Sequence, residues 1–159
     1  MIKIAFCDDD KTVLNEINQL LEKYSIVCNR KLACHDFYSP FELLTVIEKG
    51  THFDILLLDI IMPGEDGISV AKQIRRYDST VKIIFLTSSS EYAVESYTVG
   101  AYYYQIKPVA EVRFFQLMDS VISECEKARE TSLIPHVPLA VLLCVLFHGV
   151  RFLCSVGLA

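Results

Sequence analysis

The chain has 159 residues and a formal net charge of −5, and leucine, isoleucine and valine are frequent. This length suits one domain with a full hydrophobic core and a short appendage, and the composition argues against intrinsic disorder of the main body. Because the chain is acidic, it lacks the basic surface that nucleic acid requires, so we expect no nucleic-acid contact by this domain.

The cysteines and the amino terminus indicate a reducing, intracellular setting. The six cysteines form no CxxC pair and no metal-ligand spacing with the four histidines. We expect small buried thiols, with Cys7 and Cys34 in apolar strand-like runs. The first residues run directly into three aspartates and lack the length and cleavage site of a signal peptide, which predicts a cytoplasmic location.

Short apolar runs alternate with segments of helical periodicity five times along the chain. In chain order, the predicted strands cover residues 2–7, 31–37, 55–59, 81–86 and 102–106. The predicted helices that follow them cover approximately residues 13–24, 40–49, 68–74, 91–99 and 115–129. Ser39-Pro40-Phe41-Glu42 has the pattern of a capping box, and Gly100 suits a helix carboxyl cap. This alternation predicts a parallel sheet with helices on both faces.

Polar residues stand at the carboxyl ends of four of these strands, which is where ligands bind in open α/β sheets. They are Asp8, Asp9 and Asp10 after the first strand, Asp59 after the third, Thr87 after the fourth and Lys107 after the fifth. Converging carboxylates repel one another, and a hard divalent cation such as Mg²⁺ removes the conflict. Asp8, Asp9 and Asp59 therefore predict a site for Mg²⁺ and a phosphoryl group. Asp10 is assigned as a helix cap instead.

The remaining polar residues suit phosphoryl transfer. A carboxylate can attack phosphorus and form an aspartyl phosphate. The charge on the phosphoryl oxygens needs compensation, for which Mg²⁺, the Lys107 ammonium and the Thr87 hydroxyl are available. The rigid Lys107-Pro108 bond, in the cis or trans form, would fix where the ammonium points.

Taken in order, these motifs closely resemble the receiver domain of bacterial two-component response regulators over residues 1–129. The matching segments are Asp8-Asp9, Asp59-Ile60-Ile61-Met62-Pro63-Gly64-Glu65-Asp66-Gly67, Phe85-Leu86-Thr87-Ser88 and Ile106-Lys107-Pro108. Each fragment alone is weak, but the ordered set is specific. The resemblance implies a doubly wound α/β fold with a five-stranded parallel sheet of flavodoxin-like strand order 2-1-3-4-5.

The resemblance also implies a role for each residue of the site. Asp59 would accept a phosphoryl group from the phosphohistidine of a sensor histidine kinase, and Lys107 would pair with that phosphate. The implied Mg²⁺ ligands are Asp8, Asp9, Asp59 and the Ile61 carbonyl, and the implied switch residues are Thr87 and Tyr104. We therefore expect a signalling domain that regulates an effector or partner, in the first place transcription, and catalyses only its own phosphorylation and dephosphorylation.

A second pattern resembles the subgroup of response regulators whose effector is a LytTR-type DNA-binding domain. It consists of Ala93, Tyr97 and the run Gly100-Ala101-Tyr102-Tyr103-Tyr104. Such an effector needs on the order of 100 further residues. Only 30 residues follow Arg129, so we expect no effector domain in this chain. The sequence is also compatible with a homodimer.

Two rival functions compete with signal relay. A haloacid-dehalogenase-type phosphatase or phosphotransferase would carry a second aspartate two residues after its nucleophile, where this chain has Ile61. A degenerate module that no longer signals by phosphate would lack part of the acceptor set. That set is complete here, as Asp8, Asp9, Asp59, Thr87 and Lys107.

Residues 130–159 form an apolar tail, in which Arg151 is the only formal charge after Glu130. Its uncharged run, residues 137–147, is shorter than the ~20 residues needed to span a bilayer, which argues against membrane association. Three interpretations compete. The tail is a helix that packs on the domain or on a second copy, it is a membrane-associated segment, or it is a truncated or non-native remnant of an effector, which the loss of acidic residues favours.

Overall fold

A computed structural model of the chain describes residues 1–133, in which five strands alternate with five α-helices. In chain order they are β1 (Ile2–Cys7), α1 (Lys11–Val27), β2 (Leu32–Phe37), α2 (Pro40–Glu48), β3 (Ile55–Leu58), α3 (Gly67–Tyr77), β4 (Lys82–Thr87), α4 (Ala93–Ser96), β5 (Tyr103–Ile106) and α5 (Glu111–Leu133). A short 3₁₀ turn, Tyr97–Val99, follows α4. Most of the predicted tail, from residue 134 onward, lies outside the described residues.

The five strands form one parallel sheet in the order β2-β1-β3-β4-β5, which confirms the predicted fold class. Cys7 of β1 pairs with Leu58 of β3, so the next residues, Asp8 and Asp59, leave the sheet side by side. Thr87 of β4 pairs with Ile106 of β5, so Lys107 emerges beside the end of β4. The register of the strands alone thus places the predicted site residues together at the carboxyl edge of the sheet.

Two apolar layers cover the sheet, because the central strands carry large apolar side chains that point to both faces. One layer joins α1 and α5 to the sheet through residues such as Leu14, Leu21, Tyr24, Phe114, Met118 and Ile122. The other joins α2 and α3 through residues such as Leu43, Leu44, Ile68, Ala71 and Ile74. β3 is buried along its whole length, so it gives the residue that follows it a rigid support.

Side-chain hydrogen bonds and local backbone conformation determine where the helices begin and end. The Asp10 carboxylate accepts the Thr12 N–H at 2.8 Å and caps α1, as predicted. Ser39 caps α2 by accepting the Phe41 N–H, with Pro40 at the first helical position. Gly100 adopts a left-handed conformation, with φ of 61°, directly after the 3₁₀ turn, which confirms its assignment as a carboxyl cap.

The fourth helix is shorter than the predicted span of residues 91–99. Only α4 and the 3₁₀ turn are helical there. Hydroxyl groups in this segment bond to the local backbone and compete with the helix, since Ser96 Oγ donates to the Ala93 carbonyl and Thr98 Oγ1 to the Glu95 carbonyl. The aromatic and β-branched residues of the turn are also poor helix formers.

The fifth helix is longer than predicted, because it continues past Arg129 to Leu133 with no glycine or proline to end it. Residues 1–125 form one compact unit, and a second unit begins at Glu126. The predicted domain boundary at residue 129 stays a prediction. Within residues 1–133 no helix combines the length and the apolar character that crossing a bilayer requires.

The prediction of buried thiols holds for only part of the described chain. Cys7 and Cys125 are buried, but Cys28 is half-buried and Cys34 is exposed. Cys34 lies in β2, at the edge of the sheet, where no further strand covers its outer side. The prediction that Cys34 is buried was therefore wrong, because the apolar run did not reveal that β2 lies at the edge of the sheet.

Candidate functional site

Three carboxylates meet at the carboxyl edge of the sheet, as the sequence predicts. Asp8 and Asp9 follow β1, and Asp59 follows β3. One carboxylate oxygen from each lies within 4.8 Å of those of the other two. Asp8 and Asp59 are only 1% and 6% exposed, whereas Asp9 faces solvent. The cluster therefore has a buried floor and one open side.

Lys107 brings a positive charge into this cluster from β5. Its ammonium donates to the Asp59 carboxylate at 3.0 Å and to the Asp8 carboxylate at 2.5 Å. The Lys107 N–H donates to the Thr87 carbonyl, and the Lys107-Pro108 bond is cis. The side chain is 17% exposed, so solvent screens these ion pairs only in part.

Backbone N–H groups orient the two buried carboxylates. Asp59 Oδ1 accepts the Ile60 N–H at 2.7 Å and the Ile61 N–H at 3.3 Å, which leaves Oδ2 for Lys107. Asp8 Oδ1 accepts the Asp10 N–H at 3.0 Å. Burial nevertheless raises the pKa of Asp8 above its ordinary value, against the opposing pull of Lys107. A second cation at this cluster would favour the charged form.

The loop after Asp59 is fixed by a close backbone approach at Gly67. A Cβ atom at this position would lie 2.1 Å from the Asp59 carbonyl oxygen, so only glycine fits. The Gly67 N–H also donates to the Ile60 carbonyl at 2.9 Å, and Asp66 caps α3. The start of α3 is thus packed directly on the backbone of Asp59. The sequence contained Gly67 within a motif but did not disclose this reason for it.

The two predicted switch residues meet through a third residue, Ser89. Thr87 is fully buried, and its hydroxyl accepts the Ser89 N–H at 3.4 Å. The Tyr104 hydroxyl donates to the Ser89 carbonyl at 2.5 Å, and its ring packs at 6.3 Å from that of Phe85. Sequence reasoning missed Ser89, for which the only signal was its place in the serine run after Thr87.

Two other residues near the site have different characters. Ile61 is half exposed in the loop after Asp59, and its N–H already serves the Asp59 carboxylate. Its carbonyl as a metal ligand stays a prediction. Cys7 lies buried at the end of β1, where burial and the neighbouring Asp8 raise the pKa of its thiol to about 12. It is therefore a packed and unreactive thiol rather than a nucleophile.

The chain belongs to the response regulator receiver domain family, whose model matches residues 4–119. It is 30% identical over 122 residues to the sensory transduction protein LytT of Oceanobacillus iheyensis, which covers 76% of this chain and 48% of that protein. It is 33% identical over 125 residues to the DNA-binding transcriptional regulator NtrC of Klebsiella pneumoniae, which covers 77% of this chain and 25% of that protein. The chain thus spans half or less of these relatives.

Among solved structures, the chain is similar to the response regulator TrrA of Thermotoga maritima, which was determined in complex with Mg²⁺ and BeF. The TM-score is 0.65 at 25% identity, and the match covers 76% of this chain and 99% of that one. Fold, site geometry and relatives agree that this is a receiver domain of two-component signalling, a signalling domain rather than a classical enzyme.

Proposed function

We propose that this chain accepts a phosphoryl group on Asp59, from the phosphohistidine of a sensor histidine kinase, and relays the signal by a change of conformation. The observation that carries the proposal is the contact of one partly buried ammonium, from Lys107, with both Asp59 and Asp8 at the carboxyl edge of the sheet. An aspartate held at such an edge beside a fixed cation is placed to act as a nucleophile toward phosphorus.

Mg²⁺ is the proposed cofactor, held by Asp8, Asp9, Asp59 and the Ile61 carbonyl. All the donors are oxygen atoms, which Mg²⁺ prefers, and the open side at Asp9 leaves room for water and phosphoryl oxygens. Three carboxylates face the single charge of Lys107, so the cluster carries an excess of two negative charges when ionised. Bound Mg²⁺ would neutralise this excess and stabilise the charge on the transferred group.

The transfer exchanges one phosphorus bond for another. An Asp59 carboxylate oxygen forms a bond to phosphorus while the bond from phosphorus to the donor imidazole nitrogen breaks, and the imidazole leaves with the electron pair. Lys107 already touches Asp59 Oδ2 and would pair with a phosphoryl oxygen in the product. The Thr87 hydroxyl, at the end of the neighbouring strand, would donate to another. Loss of the phosphoryl group to water would be the only other reaction of the site.

A groove beside Lys107 supports a protein donor. It has a volume of about 320 Å³ and is lined mainly by apolar side chains of α1 and the segment after β5, including Val13, Ile17, Leu20, Pro108 and Val109. A kinase helix seated there would hold its phosphohistidine near Asp59.

Transcription is the proposed output, since the relatives include a DNA-binding regulator. The cytoplasm is the proposed location.

Acetyl phosphate with Mg²⁺ and intact-mass measurement tests this function directly. We expect a single phosphoryl adduct on the wild type and none on Asp59→Asn, which keeps the shape of the side chain but is a poor nucleophile. Asp54→Asn serves as a matched control, since Asp54 lies at the opposite, amino-terminal end of β3. Labelling of Asp59→Asn at the wild-type rate would refute the assignment. Continuous phosphate release from added phosphate esters would favour the haloacid-dehalogenase-type enzyme instead.

A further inference from the structure

Arg75, on α3, binds four backbone carbonyls with one guanidinium group. Nε donates to the Val99 carbonyl at 2.8 Å and Nη2 to the Gly100 carbonyl at 3.1 Å. Nη1 donates to the Val81 carbonyl at 2.8 Å and to the Asp78 carbonyl at 3.3 Å. Neither the sequence motifs nor the proposed phosphoryl chemistry uses this residue.

Two of these bonds satisfy the carboxyl end of the helical segment after β4. The last carbonyls of a helix have no partner within it, and a cation there also complements the helix dipole. Gly100 turns the chain with φ of 61°, and the Val99 and Gly100 carbonyls then meet Arg75. Arg75 therefore acts as a carboxyl cap supplied by a different helix. A lysine, with one compact charge, could not reach all four carbonyls at once.

The other end of α3 is anchored at the phosphoryl-acceptor site. Gly67 packs against the Asp59 backbone, and Ile68, Ala71 and Ile74 are buried against the sheet. A helix that buries one face against the sheet and is fixed at its amino terminus gives Arg75 a rigid base. The segment that ends at Gly100 is thus tied, through α3, to the core of the domain.

Residues 88–95, by contrast, are held to their surroundings by fewer contacts. The Lys72–Glu95 ion pair, at 3.0 Å, joins two side chains that are about half exposed, and such pairs contribute little. The Tyr104 hydroxyl holds the Ser89 carbonyl with a single hydrogen bond. Val94 is 80% exposed, whereas Ser96, just beyond this segment, is 2% exposed. Few buried contacts mark a segment of low local stability.

We propose that Arg75 is a positioning residue that fixes residues 99–101 to α3, so that movement on phosphorylation is confined to residues 88–95 and stops before the turn that Arg75 holds. The inference rests on the proposed function for the phosphoryl trigger. The contact of Arg75 with this turn is independent of that trigger, because the hydrogen bonds to the Val99 and Gly100 carbonyls are present without a phosphoryl group. β5, which begins at Tyr103, is then a fixed support against which residues 88–95 move.

Amide exchange, resolved by residue in NMR spectra of the full chain, tests the proposal with and without Mg²⁺ and beryllofluoride. In the wild type, we expect beryllofluoride to change exchange in residues 88–95 and to leave residues 99–101 unchanged. In Arg75→Met, the Gly100 and Ala101 amides should exchange about tenfold faster without the mimic, because the turn loses the anchor that keeps their N–H groups bonded to the Tyr97 and Ser96 carbonyls. The beryllofluoride response should then extend into residues 99–101. Arg75→Lys should be intermediate, and Arg76→Met, an exposed neighbour on α3, should match the wild type.

Amides of β1 and β3 serve as internal references for general destabilisation. If Arg75→Met and Arg75→Lys accelerate these strands as much as residues 99–101, Arg75 has only a general structural role and the proposal is wrong. It is equally wrong if wild-type residues 99–101 respond to beryllofluoride. Intact-mass labelling with acetyl phosphate is measured in parallel. Absence of labelling in the wild type and in every variant would refute the proposed function. The comparison of exchange rates without beryllofluoride would still decide whether Arg75 fixes residues 99–101.

Discussion

At the scale of single residues, charge balance governs the site. Lys107 contacts two carboxylates, but a third, Asp9, lies close by on the solvent side. The ammonium alone leaves the cluster negative, and burial, with a smaller contribution from repulsion by Asp59, raises the pKa of Asp8. A divalent cation would compensate both the burial and the mutual repulsion of the carboxylates.

The first prediction at this scale concerns Asp9. Asp9→Ala should raise the Mg²⁺ concentration needed for half-maximal labelling by acetyl phosphate at least several-fold, because a site with few protein ligands depends on each of them. Asp10→Ala should leave this Mg²⁺ requirement unchanged, since Asp10 caps α1. The measurement is the labelling rate over a Mg²⁺ series. Equal Mg²⁺ requirements in the wild type and Asp9→Ala would place the metal elsewhere.

At the scale of elements, the connection between α3 and β4 is held by a carboxylate. Asp78 Oδ1 accepts the Thr80 N–H and hydroxyl, each at 2.8 Å, and the Val81 N–H at 3.0 Å. Burial acts against the charged form, but these hydrogen bonds outweigh it and lower the pKa of Asp78 below its ordinary value of 3.8. The connection thus depends on ionised Asp78, and it carries the Asp78 and Val81 carbonyls that bind Arg75.

A pH-dependent stability effect follows from this connection. A carboxyl group whose pKa is lower in the folded state stabilises the fold above its unfolded-state pKa, and this contribution is lost as the pH falls through the folded-state value. Asp78→Ala should therefore cost about 1–3 kcal/mol at pH 7, and the difference from the wild type should shrink below about pH 4. Urea unfolding over a pH series measures this effect. Asp36→Ala, which removes an exposed carboxylate, should cost less, and a loss for Asp78→Ala that did not change with pH would contradict the argument.

At the scale of the whole molecule, the site is linked to a distant surface through Thr87, Ser89 and Tyr104. The Thr87 hydroxyl and the Tyr104 hydroxyl bind opposite ends of the Ser89 backbone. A phosphate that drew the Thr87 hydroxyl toward Asp59 would release the Ser89 N–H and change the support of residues 88–95. The phosphoryl group would act by stabilising one of two arrangements through contacts that differ between them.

Thr87→Ala should separate phosphorylation from this response. The variant keeps Asp59, Lys107 and the carboxylate cluster, so labelling by acetyl phosphate should remain largely intact. The change in amide exchange across residues 88–95 on adding Mg²⁺ and beryllofluoride should be much weaker than in the wild type, because the trigger hydroxyl is missing. Thr98→Ala removes an exposed hydroxyl from the following turn and should respond as the wild type does. An equally large response in Thr87→Ala would remove the hydroxyl from the switch.

The sequence by itself determined the class of fold, a parallel sheet with helices on both faces, together with the helix caps and the edge at which the chemistry lies. Those features depend on local patterns: apolar runs and helical periodicity, the hydrogen-bonding side chains of Asp10 and Ser39, and the left-handed tolerance of Gly100. Because the carboxyl ends of parallel strands share one edge, Asp8, Asp59 and Lys107 could be placed together before any contact was known.

The tertiary structure alone decided which groups touch across the chain. Arg75 binds carbonyls that lie up to 25 residues away, Gly67 is required by the nearby Asp59 carbonyl, and Ser89 joins the two switch residues. The exposure of Cys34 likewise followed from the position of β2 at the sheet edge. Such contacts depend on the approach of segments distant in sequence, and local periodicity and capping preferences carry no information about that approach.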